Sequence, residues 1–354
     1  MNTLIDKNFW KGKKVLITGN TGFKGSWLSL WLNSIGAEVY GYSLPIDNSK
    51  LLYNLLKLES SVNQTFGDIN DYDSLKKNID KSKPDIIFHM AAQPLVRDSY
   101  INPIETISTN VLGTANVLDI CRKENSTQVI VVITSDKCYE NFEQNEPYKE
   151  ENPMGGHDPY SASKGCAELI TASYRKSFFD DNSLASVSTV RAGNVIGGGD
   201  WSKDRLIPES VKAFNNNTPV NIRYPSAIRP WQDVLDPLFG YLILAENQWV
   251  ESKKYAQAWN FGPDSDSERS VENIMNMICK KWGNQASWIK NNNDEPHEAS
   301  ILKLDSSKSK NYLSWRPQKN IKETINDLVT WYLSWNDQAN MQDICMKYIE
   351  KYDI

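Results

Sequence analysis

The segment Thr18-Gly19-Asn20-Thr21-Gly22-Phe23-Lys24-Gly25, which closes the apolar run Val15-Leu16-Ile17, constrains this chain more than any other. Its regularly spaced glycines let the backbone reverse tightly, approach a charged group and press a helix onto the preceding strand. A helix opening there presents unpaired N–H groups and its positive dipole end, which suit phosphate. The pattern is G-x-x-G-x-x-G rather than the more common G-x-G-x-x-G, yet the physical demands are the same. A strand, glycine turn and helix in this order predict a dinucleotide-binding α/β unit, with Gly19, Thr21, Gly22, Phe23, Lys24 and Gly25 around the pyrophosphate.

The same rhythm continues downstream. Trp27, Trp31 and Ile35 recur every four residues, with Gly36 as a helix stop. Glu38–Ser43 reads as a strand, a helix starts at Leu75, and Asp85–Met90 is a buried-type strand. A helix over Asn110–Cys121, a strand over Val129–Thr134, a helix from Tyr160 to about Phe178 and a strand over Ala185–Val190 follow. Short, continuously apolar strands alternating with helices predict a doubly wound parallel sheet of Rossmann type. Past Arg191 the rhythm breaks into the glycine-, proline- and tryptophan-rich loops GNVIGGGDW and YPSAIRPWQDV. Ile321, Ile325, Leu328 and Tyr332 then mark an amphipathic helix. The expected division is a dinucleotide-binding domain over 1–190, with return segments near 232–260. Residues 191–354 are expected to form mainly a smaller C-terminal substrate-binding lobe packed closely on it.

Bulk properties narrow the function classes. With 354 residues, 40% hydrophobic and 23% charged, the chain has an ordinary globular composition. A net charge of -5 provides no global attraction to nucleic acid or to anionic membranes. Five scattered cysteines without a C-x-x-C pair, and only three histidines, argue against a disulfide framework and a metal site. Free thiols and the lack of a membrane-length apolar run predict a cytoplasmic protein.

Two further segments fit a dinucleotide. Asp68-Ile69, after a third strand, is placed to receive an adenine amino group, and Ala91-Ala92-Gln93, after the fourth, to lie against the cofactor. The acidic residue that grips the adenine ribose belongs at the end of the second strand. Ser43 stands there, with no carboxylate before Asp47 and no arginine, which favours NAD over NADP.

The chemistry sits at Ser135-Asp136-Lys137, following a strand, and at Tyr160-x-x-x-Lys164. The four-residue spacing puts the phenol and the amine on one helical face. An unperturbed phenol has a pKa of ~10, and a nearby ammonium with a nicotinamide cation favours its phenolate. Tyr160 is then a base toward a substrate hydroxyl as hydride leaves the same carbon, with Ser135 hydrogen-bonding that oxygen.

From the glycine turn to the C-terminal lobe the sequence resembles the extended short-chain dehydrogenase/reductase superfamily, and within it the nucleotide-sugar 4,6-dehydratases. TGNTGFKGSWLSLWL, HMAAQPLVRDSY, TSDKCYEN, PMGGHDPYSASKGCAEL, RAGNVIGGGDW, DRLIP, IRPWQDV and WNFGP are similar to the CDP-glucose 4,6-dehydratase branch. The resemblance implies a redox-neutral hydro-lyase in which Tyr160 takes the carbon-4 hydroxyl proton. Asp136 matches the acid for the departing carbon-6 hydroxyl. Lys137 stands where other dehydratases carry a glutamate base, and it either takes the carbon-5 proton as a neutral amine or stays charged beside the enolate.

For the nucleotide-sugar, CDP-glucose, the resemblance implies contacts from Asn194, Asn260, Arg205, Arg229, Leu206, Ile207 and His297. Guanidinium forks suit the diphosphate. Asn110 joins the NAD set, and Trp201 and Trp231 are the aromatic residues expected at the site. The helices bearing Asn110–Cys121 and Tyr160–Phe178 are implied to pair two copies in a homodimer or larger homo-oligomer. Two other readings share the fold: an NAD-dependent epimerase or dehydratase for another nucleotide-sugar, and a catalytically silent NAD-binding regulator.

Overall fold

A computed structural model describes residues 4–46, 51–124, 126–180, 185–291 and 301–352. Seven parallel strands form one sheet: β1 (Lys14–Thr18), β2 (Glu38–Ser43), β3 (Asn63–Phe66), β4 (Ile86–His89), β5 (Val129–Ile133), β6 (Ser186–Ala192) and β7 (Ala258–Phe261). Their spatial order is β3-β2-β1-β4-β5-β6-β7. The chain reverses direction across the sheet between β1 and β4, so a crevice opens beyond their C-terminal ends, where ligands bind in folds of this type.

Alternation along the strands builds a core on each face. Val15, Ile17, Ile86, Phe88, Val129 and Val131 point into one cluster, with Trp27, Trp31 and Phe239. Leu16, Ile87, Ile130 and Val132 point into the other, with Leu75, Ile79, Val117 and Leu118. Each of these aliphatic side chains, fully buried, contributes roughly 1.5–3 kcal/mol.

The helices on the faces are α1 (Phe23–Ser34), α2 (Tyr72–Ser82), α3 (Gly113–Cys121), α4 (Pro159–Phe178) and α5 (Leu235–Val250). The helix expected from Asn110 begins earlier. Pro103–Ile107 leads through a π-helical turn, Ser108–Leu112, into α3. That turn carries Asn110, and such wide turns are common where a helical side chain serves a site.

The C-terminal part adds short strand pairs, Val220–Ile222 with Trp288–Lys290 and Ile228–Pro230 with Glu268–Ser270. It returns β7 to the sheet edge beside β6. The amphipathic tail helix spans Ile321–Asn336 and is started by a capping box between Asn320 and Glu323. No helix among the described residues is long and apolar enough to cross a membrane.

Candidate active site

The glycine turn adopts the geometry its sequence demands. Gly19 has φ +74°, and a Cβ there would lie 2.8 Å from the Ala91 backbone. A Cβ on Gly25 would lie 2.3 Å from the Gly19 carbonyl oxygen, so α1 crosses its own strand at a distance only glycine permits. Gly22 caps α1 without a side-chain hydrogen bond, so the cap residue does not satisfy the first-turn N–H groups. Thr18 Oγ1 accepts from the Met90 and Ala91 amides at 3.1 and 3.2 Å, fastening the loop after β4 against the turn. Asn110 ties that loop to α4: its Oδ1 accepts from Gln93 N at 2.9 Å, and its Nδ2 donates to Ser163 Oγ at 2.8 Å. Asp68 and Ile69 follow β3, where Asp68 is exposed and its carbonyl accepts from the Tyr42 hydroxyl. Close backbone approach, uncapped amides and polar loop ends are what a dinucleotide requires, so these residues fit NAD.

Beside this crevice lies a cleft of about 290 Å³. Ser135, Asp136, Lys137 and Tyr160 line one side, at the ends of β5 and α4. Asn194, Arg205, Leu206, Ile207, Arg229 and Trp231 line the other. Ser135 Oγ donates to Asp136 Oδ1 at 2.9 Å and accepts the Lys137 amide at 3.2 Å, which shapes the triplet into a tight turn. Asp136 is 3% exposed, and its Oδ2 is buried without a hydrogen-bond partner. Burial raises its pKa against the pull of Lys137, Ser135, Arg229 and Lys24.

Lys164 sits behind this surface and donates to the Ile133 carbonyl at 3.3 Å, with burial lowering its pKa to about 8. Its effect on Tyr160 differs from expectation. Burial raises the phenol to about 12, and the opposing pull comes from Ser135 and Arg205 rather than from Lys164. Tyr160 is therefore a neutral phenol in the chain by itself, because desolvation of a phenolate outweighs the pull of Ser135 and Arg205.

Three sequence expectations need correction or relocation. Asn260 is fully buried and its side chain is committed elsewhere. It accepts from Tyr139 Oη at 2.8 Å and donates to the Tyr148 and Asp305 carbonyls at 2.9 and 3.1 Å. It braces the sheet edge and does not line the cleft. Trp201 packs against Tyr332 and Trp335, with centroids 5.4 and 4.6 Å away, so its loop position misled. Lys24, read as a cofactor residue, faces the substrate cleft beside Asp136, with burial and Arg205 lowering it to about 8. His297 lies outside the described residues.

The sequence reading also passed over Arg97, Asp204, Glu209 and Arg223, which line the cleft as charged groups in unremarkable surroundings. It passed over the pair beneath it too. Arg191 Nη2 donates to Glu168 Oε2 at 2.8 Å, both side chains being 4% exposed. Thr134, just past the end of β5, donates to Glu168 Oε1 at 2.5 Å, which pins α4 to the segment that leads into Ser135.

The family model described as GDP-mannose 4,6 dehydratase matches residues 16–328. The chain belongs to that dehydratase family. A CDP-glucose 4,6-dehydratase from Salmonella typhimurium is 48% identical over 97% of both chains. The human dTDP-D-glucose 4,6-dehydratase is 26% identical over 90% of each. Among solved structures, a dTDP-glucose 4,6-dehydratase from Bacillus anthracis in complex with NAD superposes with a TM-score of 0.77 at 20% identity, covering 93% of this chain and 99% of that one. At that identity the likeness is evidence of the fold alone.

Proposed function

We propose that this chain converts CDP-D-glucose to CDP-4-dehydro-6-deoxy-D-glucose and water, using NAD that is regenerated within each turnover. The observation that carries the reading is the placement of Asp136-Lys137 in one cleft with Ser135 and Tyr160. An epimerase has no step for that acid–base pair, whereas an elimination needs both members. The 48% identity with the Salmonella enzyme over nearly the whole chain supports cytidine as the nucleoside.

NAD, when bound, supplies a hydride acceptor for carbon 4, a hydride donor for carbon 6 and a ring cation that favours the Tyr160 phenolate. Gly19, Gly22 and Gly25 admit its pyrophosphate to the α1 N-terminus. Tyr160 removes the carbon-4 hydroxyl proton, with Ser135 holding the oxygen. The resulting ketone acidifies carbon 5, whose proton passes to Lys137. Asp136, whose carboxyl burial pushes up, gives its proton to the carbon-6 hydroxyl, which leaves as water. Lys137 returns a proton to carbon 5 as carbon 6 is reduced, and the proton gained by Tyr160 is given up to solvent while Asp136 takes one back, which restores the starting states.

On this reading residues 1–190, with the return near 232–260, hold NAD, and 191–354 mainly hold the sugar nucleotide in the cytoplasm. The product suits deoxysugar synthesis for surface polysaccharide. Exposed Ile101, Ile104, Leu112 and Leu169, at 74%, 76%, 57% and 59%, support pairing of two copies through the helices around α3 and α4. Incubation with CDP-glucose and NAD, read by the alkaline absorbance of the 4-keto product, tests the activity. Product from dTDP- or GDP-sugars but not from CDP-glucose overturns the substrate, and no product from any of them overturns the enzyme.

A further inference from the structure

The cleft has two ends of different electrostatic character. At the catalytic end, leaving aside the acid–base pair Asp136-Lys137, Lys24, Arg205 and Arg229 outnumber Asp200, which suits a diphosphate. The other wall is balanced. Arg223 Nη2 lies 3.5 Å from Glu209 Oε2 and donates to the Asp204 carbonyl at 3.1 Å. Asp204 Oδ1 is 3.7 Å from both Arg223 Nη1 and Arg97 Nη1, the latter reaching over from the short helix Val96–Ile101 that follows β4. Two guanidinium groups and two carboxylates leave this end without net charge. Ile207, Ile222, Ala227 and Val271 provide apolar surface around it. An uncharged, flat ring with a hydrogen-bonding edge fits such a place, and a phosphate does not.

We propose that Glu209 and Arg223 together read the cytosine edge and set the nucleotide specificity of this enzyme. The inference rests on the function proposed above and gives it a physical contact for the base. A carboxylate next to a guanidinium offers one acceptor followed by two donors. Cytosine presents the complement: its amino group donates, and N3 and O2 accept. Uracil and thymine present acceptor, donor, acceptor, which turns a carbonyl oxygen toward Glu209 where cytosine offers an amino group. A guanine presents acceptor, donor, donor, which sets its ring N–H against a donor in either orientation, and its ring system is larger. Sites built to hydrogen-bond a particular group discriminate strongly against analogues that leave it unpaired.

Two measurements on the NAD-loaded enzyme separate this inference from the reading it rests on. Turnover of CDP-glucose by the parent tests the reading. Calorimetric titration with CDP, UDP and GDP, on the parent, Glu209→Gln and Arg223→Gln, tests the base contact. Glu209 is partly exposed, and glutamine has its shape, so folding is preserved. The parent is expected to bind CDP more tightly than UDP or GDP. Glu209→Gln narrows the CDP-to-UDP preference by about tenfold or more, because the amide can donate to a uracil oxygen. Arg223→Gln weakens CDP by about tenfold with its melting temperature unchanged. Equal loss of CDP and UDP in Glu209→Gln, an unaltered preference, or a parent that prefers GDP would each overturn the assignment, while CDP-glucose turnover would leave the dehydratase reading standing.

Discussion

Replacing Glu168 by glutamine should destabilise the fold by about 3–5 kcal/mol, the usual cost of leaving one member of a buried ion pair without its partner. Glu168 accepts from Arg191 at 2.8 Å, Thr189 at 2.7 Å and Thr134 at 2.5 Å, so its carboxylate meets three donors, two on β6 and one just past β5. Glutamine keeps one acceptor oxygen and turns an N–H₂ group toward donors. Unfolding entropy of roughly 2.1 cal/mol/K per residue, summed over this length, converts the loss into a fall in Tm of about 4–7 °C. Thermal melts of the two proteins, followed by circular dichroism, measure it. The acid side supplies a second reading. Burial pushes the Glu168 carboxyl up, but Arg191 and the threonine hydrogen bonds outweigh it and hold the folded pKa below the ordinary value. Stabilisation from a depressed carboxyl is complete above its unfolded pKa and is lost as pH falls through the folded one. The gap between parent and variant should therefore close below about pH 4.3. A Tm shift under about 1.5 °C at neutral pH would refute the argument.

Four further outcomes follow from the site. Gly25→Ala forces a methyl group to 2.3 Å from the Gly19 carbonyl, and NAD affinity measured by fluorescence titration should fall more than about tenfold. Asp136→Asn should slow water loss by at least about 10²-fold while leaving carbon-4 oxidation, so the absorbance of reduced cofactor persists after mixing with substrate. Lys137→Glu should move the ascending limb of the pH–rate profile to lower pH, since a carboxyl loses its proton before an amine; an unmoved limb assigns the carbon-5 proton to another group. Ile104→Glu, at a position 76% exposed in the single chain, should leave the melting temperature of the subunit unchanged and shift sedimentation toward the monomer.

Much of the site was legible because its determinants are local. The turn Gly19–Gly25 needs glycine for reasons confined to seven residues, and Tyr160 and Lys164 share a face because a helix turns every 3.6 residues. Continuous apolar strands at β4 and β5 announced a sheet covered on both faces, and their predicted limits differ from the observed ones by a residue or so at the ends. The start of the Asn110 helix was misread because a π-helical turn disturbs the periodicity that marks a helix. Asn260 and Trp201 were misplaced because motif membership says nothing of which way a side chain turns. Packing of Tyr139, Tyr148 and Trp335 decides that.

By itself, the sequence determined the dinucleotide turn, the parallel sheet, and the neighbourhood of acid, amine and phenol in the catalytic cleft. Only the tertiary structure decided the electrostatic outcome. It made Tyr160 a neutral phenol, brought Lys24 from the cofactor turn to the side of Asp136, and gathered Arg97, Asp204, Glu209 and Arg223 at one wall. The reason is that periodicity and spacing act between residues close along the chain, whereas desolvation and charge pairing depend on what the completed fold packs against each group.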